Sequence, residues 1–472
     1  MKSKFNFIRI PLILVNLIVS ILLVLDINKL DILPTKYFLI VIFILGFINL
    51  LAIILLFLKN KITRAIGIII SILLIALSVI GLNYTGDTNR FLNSAFNNNV
   101  VETSTYNVIV LKDSEINKLE DLTDKTLGYL KEEKNPIELL NNSVSTVSTE
   151  YEDLYELYDL LVSKDLDCIL IDEAYIDVLA EDYQDVNEKI KIVYTFNLET
   201  KIEKTTEETA NLVRPINIYI SGSDSRSSNI SNKSRSDVNM IVTINPNTHK
   251  ILLTSIPRDY YVQVHGQTGL KDKLTHSGIY GLEVSTKTME DLFDVEIDYS
   301  VKIGMNAVEE VVDMVGGIEV YSDKTFNSYH LAGWVVQEGI NKMDGQKALA
   351  YARERYAYAS GDRHRIQNQQ QVLEAVLKKV LSDKSLLLKY DDLLESLGNL
   401  YRTDIPRDVI TAFVKDQLDT MSTWTFETQW VDGKGASLPT HTAPKYKRYV
   451  MIPYEEDVQE ASLKIKATLT EK

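Results

Sequence analysis

The sequence predicts an α/β protein on a membrane anchor: three transmembrane helices, then a small α/β unit, then a larger one. Three observations carry this. Long charge-free apolar runs end at Leu82, short β-branched runs then alternate with segments of helical spacing, and polar stretches separate the parts.

The anchor comes first. Residues 12–25 are apolar except for Asn16 and Ser20, and residues 37–58 and 65–82 contain no charge. A bilayer core takes about 20 apolar residues in helix, so spans are expected at about 8–27, 37–58 and 65–82, within an anchor region of residues 1–90. Lys2, Lys4 and Arg9 before an apolar stretch also suit a cleaved signal peptide, but no small-residue cleavage site follows and two further spans do. The tail and the second turn (Lys59, Lys61, Arg64) are basic, whereas the first turn mixes Asp26, Lys29, Asp31 and Lys36. Basic flanks stay inside, so the N-terminus is expected in the cytoplasm and everything after Leu82 outside.

At 472 residues the chain is long enough for two or three domains, at about 150 residues each. Cys168 is the single cysteine of the 472 residues, so no intrachain disulfide and no cysteine-type zinc site is expected. A net charge of −15 argues against a nucleic-acid partner.

After an Asn-, Ser- and Thr-rich linker, residues 105–204 read as the small unit. Strands are expected at 106–111, 126–130, 168–171 and 190–196, with helices at 151–161 and 173–180. Residues 212–420 read as the larger unit, with strands at 215–221, 238–245, 251–256, 299–303 and 318–321. Its helices are expected at 280–293, 306–315, 344–352 and 366–381. Residues 421–472 read as a C-terminal extension with a short β portion near 425–431.

Charged residues at strand ends are the candidates for chemistry, because the ends of such strands gather around one crevice. Asp224 follows one strand, Asp237 precedes the next, and Arg258 closes the third; Arg353, Arg355, Arg365 and Gln369 come from the helical part. Guanidinium forks match phosphate oxygens and stay charged when desolvated. Two carboxylates do not bind phosphate by themselves. A divalent cation, Mg²⁺ or Mn²⁺, held by Asp224 and Asp237 together with phosphate oxygens, reconciles the two sets. Arg353 and Arg355 share a face only in extended chain, so the helix before them is expected to end near Ala352, whereas Arg365 and Gln369 share a helix face. Each residue alone has a plainer reading. Asp224 suits a turn or a helix cap, and Arg353 and Arg355 suit surface pairs with Glu354 and Asp362. The histidines have no ligand spacing.

The set as a whole resembles the LytR-CpsA-Psr family, over nearly the full chain. The resemblance rests on GSDSR (222–226), RSDVNM (235–240), SIPRD (255–259), KLTHSGIYG (273–281), VDMVGGIEV (312–320), MDGQKALAYARER (343–355) and GDRHRIQNQQ (361–370). Three spans and an extra domain look most like its capsule-locus CpsA branch. The resemblance implies a Gram-positive cell-surface phosphotransferase whose α/β core holds a polyisoprenyl (undecaprenyl) tail in a lipid pocket. It implies that a capsular or related glycopolymer passes from the diphosphate carrier to peptidoglycan, with polyisoprenyl phosphate released. Matched by motif, Asp224 and Asp237 are the metal-associated acids. Arg258, Arg353, Arg355, Arg365 and Gln369 are the diphosphate contacts, and Asp237, Arg258, Arg353 and Arg355 carry catalysis. Arg226, Arg235, Asp259 and Arg363 belong to the motifs with roles that the resemblance leaves open. Capsule assembly proteins are the implied partners. The alternatives are a pyrophosphatase using water at the same site, and a non-enzymatic regulator or scaffold of capsule assembly.

Overall fold

In the computed structural model the described residues are 2–31, 33–97, 101–201, 212–223, 230–359 and 361–472. Helices α1 (Lys2–Leu30), α2 (Thr35–Phe57) and α3 (Lys61–Asn97) form the anchor. All three are long and apolar enough to cross a membrane, over Arg9–Leu30, Thr35–Phe57 and Lys61–Gly86. Within it two polar pairs form, Asn49 Nδ2 donating to Ser20 Oγ at 3.0 Å and Thr85 Oγ1 to Asp26 Oδ2 at 2.6 Å, while Asn16 Oδ1 and Ser71 Oγ are buried without a hydrogen-bond partner among the described residues. The third helix continues to Asn97 through much of the stretch expected as linker; composition alone does not break a helix that neighbours already support.

Strands β1 (Val101–Leu111), β2 (Thr126–Leu130), β3 (Val147–Tyr151), β4 (Cys168–Asp172) and β5 (Ile190–Lys201) form one sheet in the order β3-β2-β4-β1-β5. Strands β2, β3 and β4 run parallel, while β1 is antiparallel to β4 and β5. Cys168 is buried in β4. The helical spacing of residues 151–161 hid the end of β3, and the helix itself starts later, at Leu154, capped by Asp153.

The larger sheet has six strands. Its centre is β6 (Ile216–Ser223), β7 (Val238–Asn245) and β8 (Lys250–Ile256), joined antiparallel. Strand Tyr299–Gly304 runs parallel to β6 and carries Tyr401–Thr403 at its outer edge; strand Thr425–Trp430 runs parallel to β8. Alternation along β7 splits the core. Met240 and Val242 pack with Leu373 and Leu381 of helix Asp362–Ser382, whereas Ile241 faces Met289, Phe293 and Ile465 from helices Leu282–Phe293 and Glu455–Thr470. Residues 421–472 are therefore no appendage: they supply an edge strand and a helix of one core layer.

Register places the chemistry. Gly222 is opposite Val238, and Asn239 is opposite Ile256. The end of β6, the start of β7 and the end of β8 thus lie on one rim, and the parallel edge strand delivers Asp432 to the same side.

Candidate functional site

Asp237 is the centre of this rim and is nearly inaccessible, at 6%. The segment before it is pinned from three sides. Ser236 Oγ lies 2.6 Å from Ser221 Oγ, the Ser236 amide donates to Thr275 O at 2.9 Å, and Lys302 Nζ donates to Asn232 O and Ser234 O at 2.6 and 3.0 Å. Arg258 Nη1 donates to Asp237 Oδ1 at 2.7 Å, and Arg235 Nη2 lies 3.5 Å from Oδ2. Burial works against ionising Asp237, yet Arg235, Arg258 and Arg365 together hold its carboxyl below the ordinary carboxylate range.

Arg365 reaches the site from the first turn of helix Asp362–Ser382. Its Nη2 donates to Asp362 Oδ2 at 3.2 Å, and Asp362 lies 3.8 Å from Arg258 Nε. Burial and the like charges of Arg258 and Arg355 lower the pKa of Arg365 against the pull of Asp362 and Asp237. For Arg258, Asp237, Asp259, Asp362 and Glu181 outweigh burial and raise it. Burial raises the pKa of Asp259, against Arg258 and Lys273.

The buried Nε groups of Arg235, Arg258 and Arg365, among the described residues, have no acceptor within hydrogen-bond distance. A desolvated guanidinium N–H without an acceptor is costly. Three of them around one ionised carboxylate fit an anion with several oxygens, such as a phosphate or diphosphate.

The other expected residues occupy graded positions. Helix Gly345–Arg353 ends one residue beyond Ala352, so Arg353 is still helical and the chain turns extended only at Glu354. Arg355 Nη2 donates to the Tyr356 hydroxyl at 2.7 Å and faces Arg365 electrostatically. Arg353 is partly buried, with its carbonyl 3.0 Å from His330 Nε2. Gln369 lies one turn beyond Arg365, partly buried. Asp224 and Arg226 lie outside the described residues. Arg363 is committed elsewhere, with Nε 2.8 and 2.9 Å from the Asp432 oxygens. Glu354 is not a surface partner of the arginines: it is fully buried and accepts from the amides of Tyr329, Tyr356 and Ala357.

Residues to which sequence reasoning assigned no site role complete the site. Glu181, from the small unit, accepts from Arg235 Nη1 at 2.5 Å and from Lys273 Nζ at 2.8 Å. Burial opposes its charge, but His276, Lys273 and Arg235 hold its pKa far below the ordinary range. His276, buried beneath it, has Nδ1 2.7 Å from Asp272 Oδ1; burial lowers its pKa, and Asp272 and Glu181 outweigh this to bring it to about 9. The signal available was Asp272, just before the 273–281 motif, four residues ahead of His276, a spacing at which the two side chains pair.

Among the described residues no group of three or more acids, histidines or cysteines could hold a divalent cation, and Asp237 is the described carboxylate at the rim that the sequence reading assigns to one. Asp237 is ionised, but guanidiniums face both of its oxygens, so a cation there needs phosphate oxygens to complete its shell. Asp237, and Asp224 by motif, are the residues that would hold it.

The fold and site define a class: an α/β protein with three apolar helices suited to a membrane anchor and a buried arginine–carboxylate cluster at one sheet rim. The chain belongs to the LytR_cpsA_psr family, whose profile matches residues 182–450. Among relatives, the polyisoprenyl-teichoic acid–peptidoglycan teichoic acid transferase TagU of Bacillus mycoides (strain KBAB4) is 32% identical over 236 residues, 46% of this chain and 74% of that one. The TagU of Enterococcus faecalis (strain ATCC 700802 / V583) is 32% identical over 238 residues, 50% of this chain and 75% of that one. The crystal structure of B. subtilis TagU is similar with a TM-score of 0.43 and 27% identity, over 55% of this chain and 98% of that one.

Proposed function

We propose that this protein is a phosphotransferase of the outer membrane face, moving a glycopolymer from a polyisoprenyl diphosphate carrier onto peptidoglycan. The observation that carries the reading is the trio of buried, unsatisfied guanidinium N–H groups around ionised Asp237. The names of the TagU relatives support the same reaction class.

A peptidoglycan hydroxyl attacks the phosphorus next to the glycopolymer; the bond to the bridging oxygen breaks, polyisoprenyl phosphate leaves, and the hydroxyl proton passes to the leaving phosphate or to solvent. Little covalent work falls to the protein, so positioning and charge stabilisation dominate. Arg258 and Arg365 face the charge that builds on the two phosphates, and Arg353 and Arg355 extend the cationic wall. Asp237 is a poor base, because two arginines stabilise its anion; it holds Arg258 in place instead. Mg²⁺ or Mn²⁺, held by Asp237 and Asp224 with the substrate, would add neutralising charge at the same phosphates. A capsular polysaccharide is the glycopolymer that the three-span, two-unit organisation favours. The reading requires apolar surface near the arginines for the prenyl tail, and capsule assembly proteins are the proposed neighbours in the membrane.

The test uses purified full chain, a polyisoprenyl-diphosphate-linked glycan and insoluble peptidoglycan. Glycan becoming covalently bound to the peptidoglycan, together with polyisoprenyl phosphate release, supports the reading; chelation should stop it and Mg²⁺ restore it. Glycan phosphate appearing only in solution makes the protein a hydrolase, and no turnover makes it a scaffold.

A further inference from the structure

Glu181 belongs to the small β1–β5 unit, just outside the family match that begins at residue 182. Its side chain is 14% exposed and sits between Arg235, Lys273 and His276, at 2.5, 2.8 and 3.9 Å. Arg235 and Lys273 in turn face the site acids: Arg235 lies 3.5 Å from Asp237, and Lys273 lies 3.8 Å from Asp259. The small unit is firmly seated here. Tyr446 donates to Asp159 at 2.7 Å, Arg448 lies 3.2 Å from Asp182 and stacks on Tyr155, and Ile279 and Ala443 enter the small unit's core. The small unit therefore inserts one carboxylate into the other unit's cation cluster.

We propose that Glu181 is a specificity-determining residue of the anion site: it cancels part of the positive charge of Arg235 and Lys273, so that the site suits a diphosphate diester rather than a more highly charged diphosphate monoester. The inference rests on the diphosphate reading above. Its chemistry is simple. A lipid-diphosphate-linked sugar carries one charge on each phosphate, whereas a lipid diphosphate without the sugar has a terminal phosphate that loses a further proton near neutral pH. Each added ligand charge feels the whole local field, which is only weakly screened in a buried site. Loss of the Glu181 charge makes that field more positive and rewards the monoester most.

The experiment measures binding of two probes to detergent-solubilised full chain at neutral pH: geranylgeranyl diphosphate, and the same lipid diphosphate esterified to N-acetylglucosamine. Glu181→Gln should shift the affinity ratio toward the monoester by about tenfold. Lys273→Met should shift it the opposite way, and the double variant should return it toward wild type. Circular dichroism checks folding; if Glu181→Gln does not fold, Lys273→Met alone decides. An unchanged ratio, or equal weakening of both probes in each variant, overturns the proposal and leaves Glu181 a docking contact. Failure of the wild type to bind either probe is a different result: it removes the diphosphate reading itself, and this inference with it.

Discussion

Arg258 and Asp237 form the pair on which the site turns. Removing Arg258 takes the guanidinium hydrogen bond from buried Asp237 and leaves Arg235 and Arg365 to offset its charge, at a cost of about 2–3 kcal/mol. Arg258→Ala should therefore lower the thermal midpoint strongly and abolish transfer to peptidoglycan, while Arg258→Lys keeps the charge but loses the fork. His276 gives the pH test. Its pKa rises from 6.5 to about 9 on folding, so its contribution is fully present below pH 6.5 and is lost as pH rises through 9. Stability should fall across that window by up to about 1.4 kcal/mol per pH unit, and a thermal-melt series on His276→Gln should show a lower but flatter profile. Asp237 has the opposite sign: its lowered pKa means that its contribution is lost only as pH falls below the ordinary 3.8. At this scale the sequence exposed residues whose position was readable from strand ends, Asp237 and Arg258 above all. It did not expose Glu181, because an acid donated across two units has no local pattern to mark it.

Elements deliver these side chains through close backbone packing. A Cβ at Gly278 would overlap the Ser234 carbonyl oxygen and crowd the Ser236 amide, which belong to the segment that carries Arg235 and Asp237. Gly278→Ala should thus cost about 1–3 kcal/mol by overpacking and reduce diphosphate affinity, although residue 278 touches no phosphate. Calorimetric binding of a short-chain prenyl diphosphate, with a thermal melt, measures both effects. The central strands β6, β7 and β8 were legible because each is an apolar run bounded by polar residues. The hairpin Gly433–Pro439 with Lys447–Pro453 was not, since its strands are largely exposed and show no clean alternation. Helix Glu455–Thr470 did carry a readable signal: three acids in its first turn, with Val458, Ala461 and Ile465 on its buried face.

At the scale of the molecule, the anchor and the large unit meet on one side. Leu30 packs with Leu387, Tyr390, Val414 and Leu418, Lys36 pairs with Asp419 at 2.6 Å, and Lys415 pairs with Asp31 at 2.5 Å. The turn between α1 and α2 therefore packs against the large unit. Since Cys168 is buried, introduced cysteines report topology cleanly. In intact cells a membrane-impermeant maleimide should label Ser437→Cys and should reach Asn60→Cys only after lysis; the reverse pattern would put the site in the cytoplasm. The three spans were legible from charge-free runs alone. The seating of the small unit was not, because it depends on Tyr446, Arg448 and Ala443, far along the chain from the surface they cover.

The most direct measurement is a crystal structure of the protein with a short-chain prenyl diphosphate. Both phosphates should lie within hydrogen-bond distance of Arg258 and Arg365, taking up the unsatisfied Nε groups, with the prenyl chain against apolar surface beside them. Phosphates bound away from Asp237, with Arg258 and Arg365 untouched, would contradict the diphosphate reading.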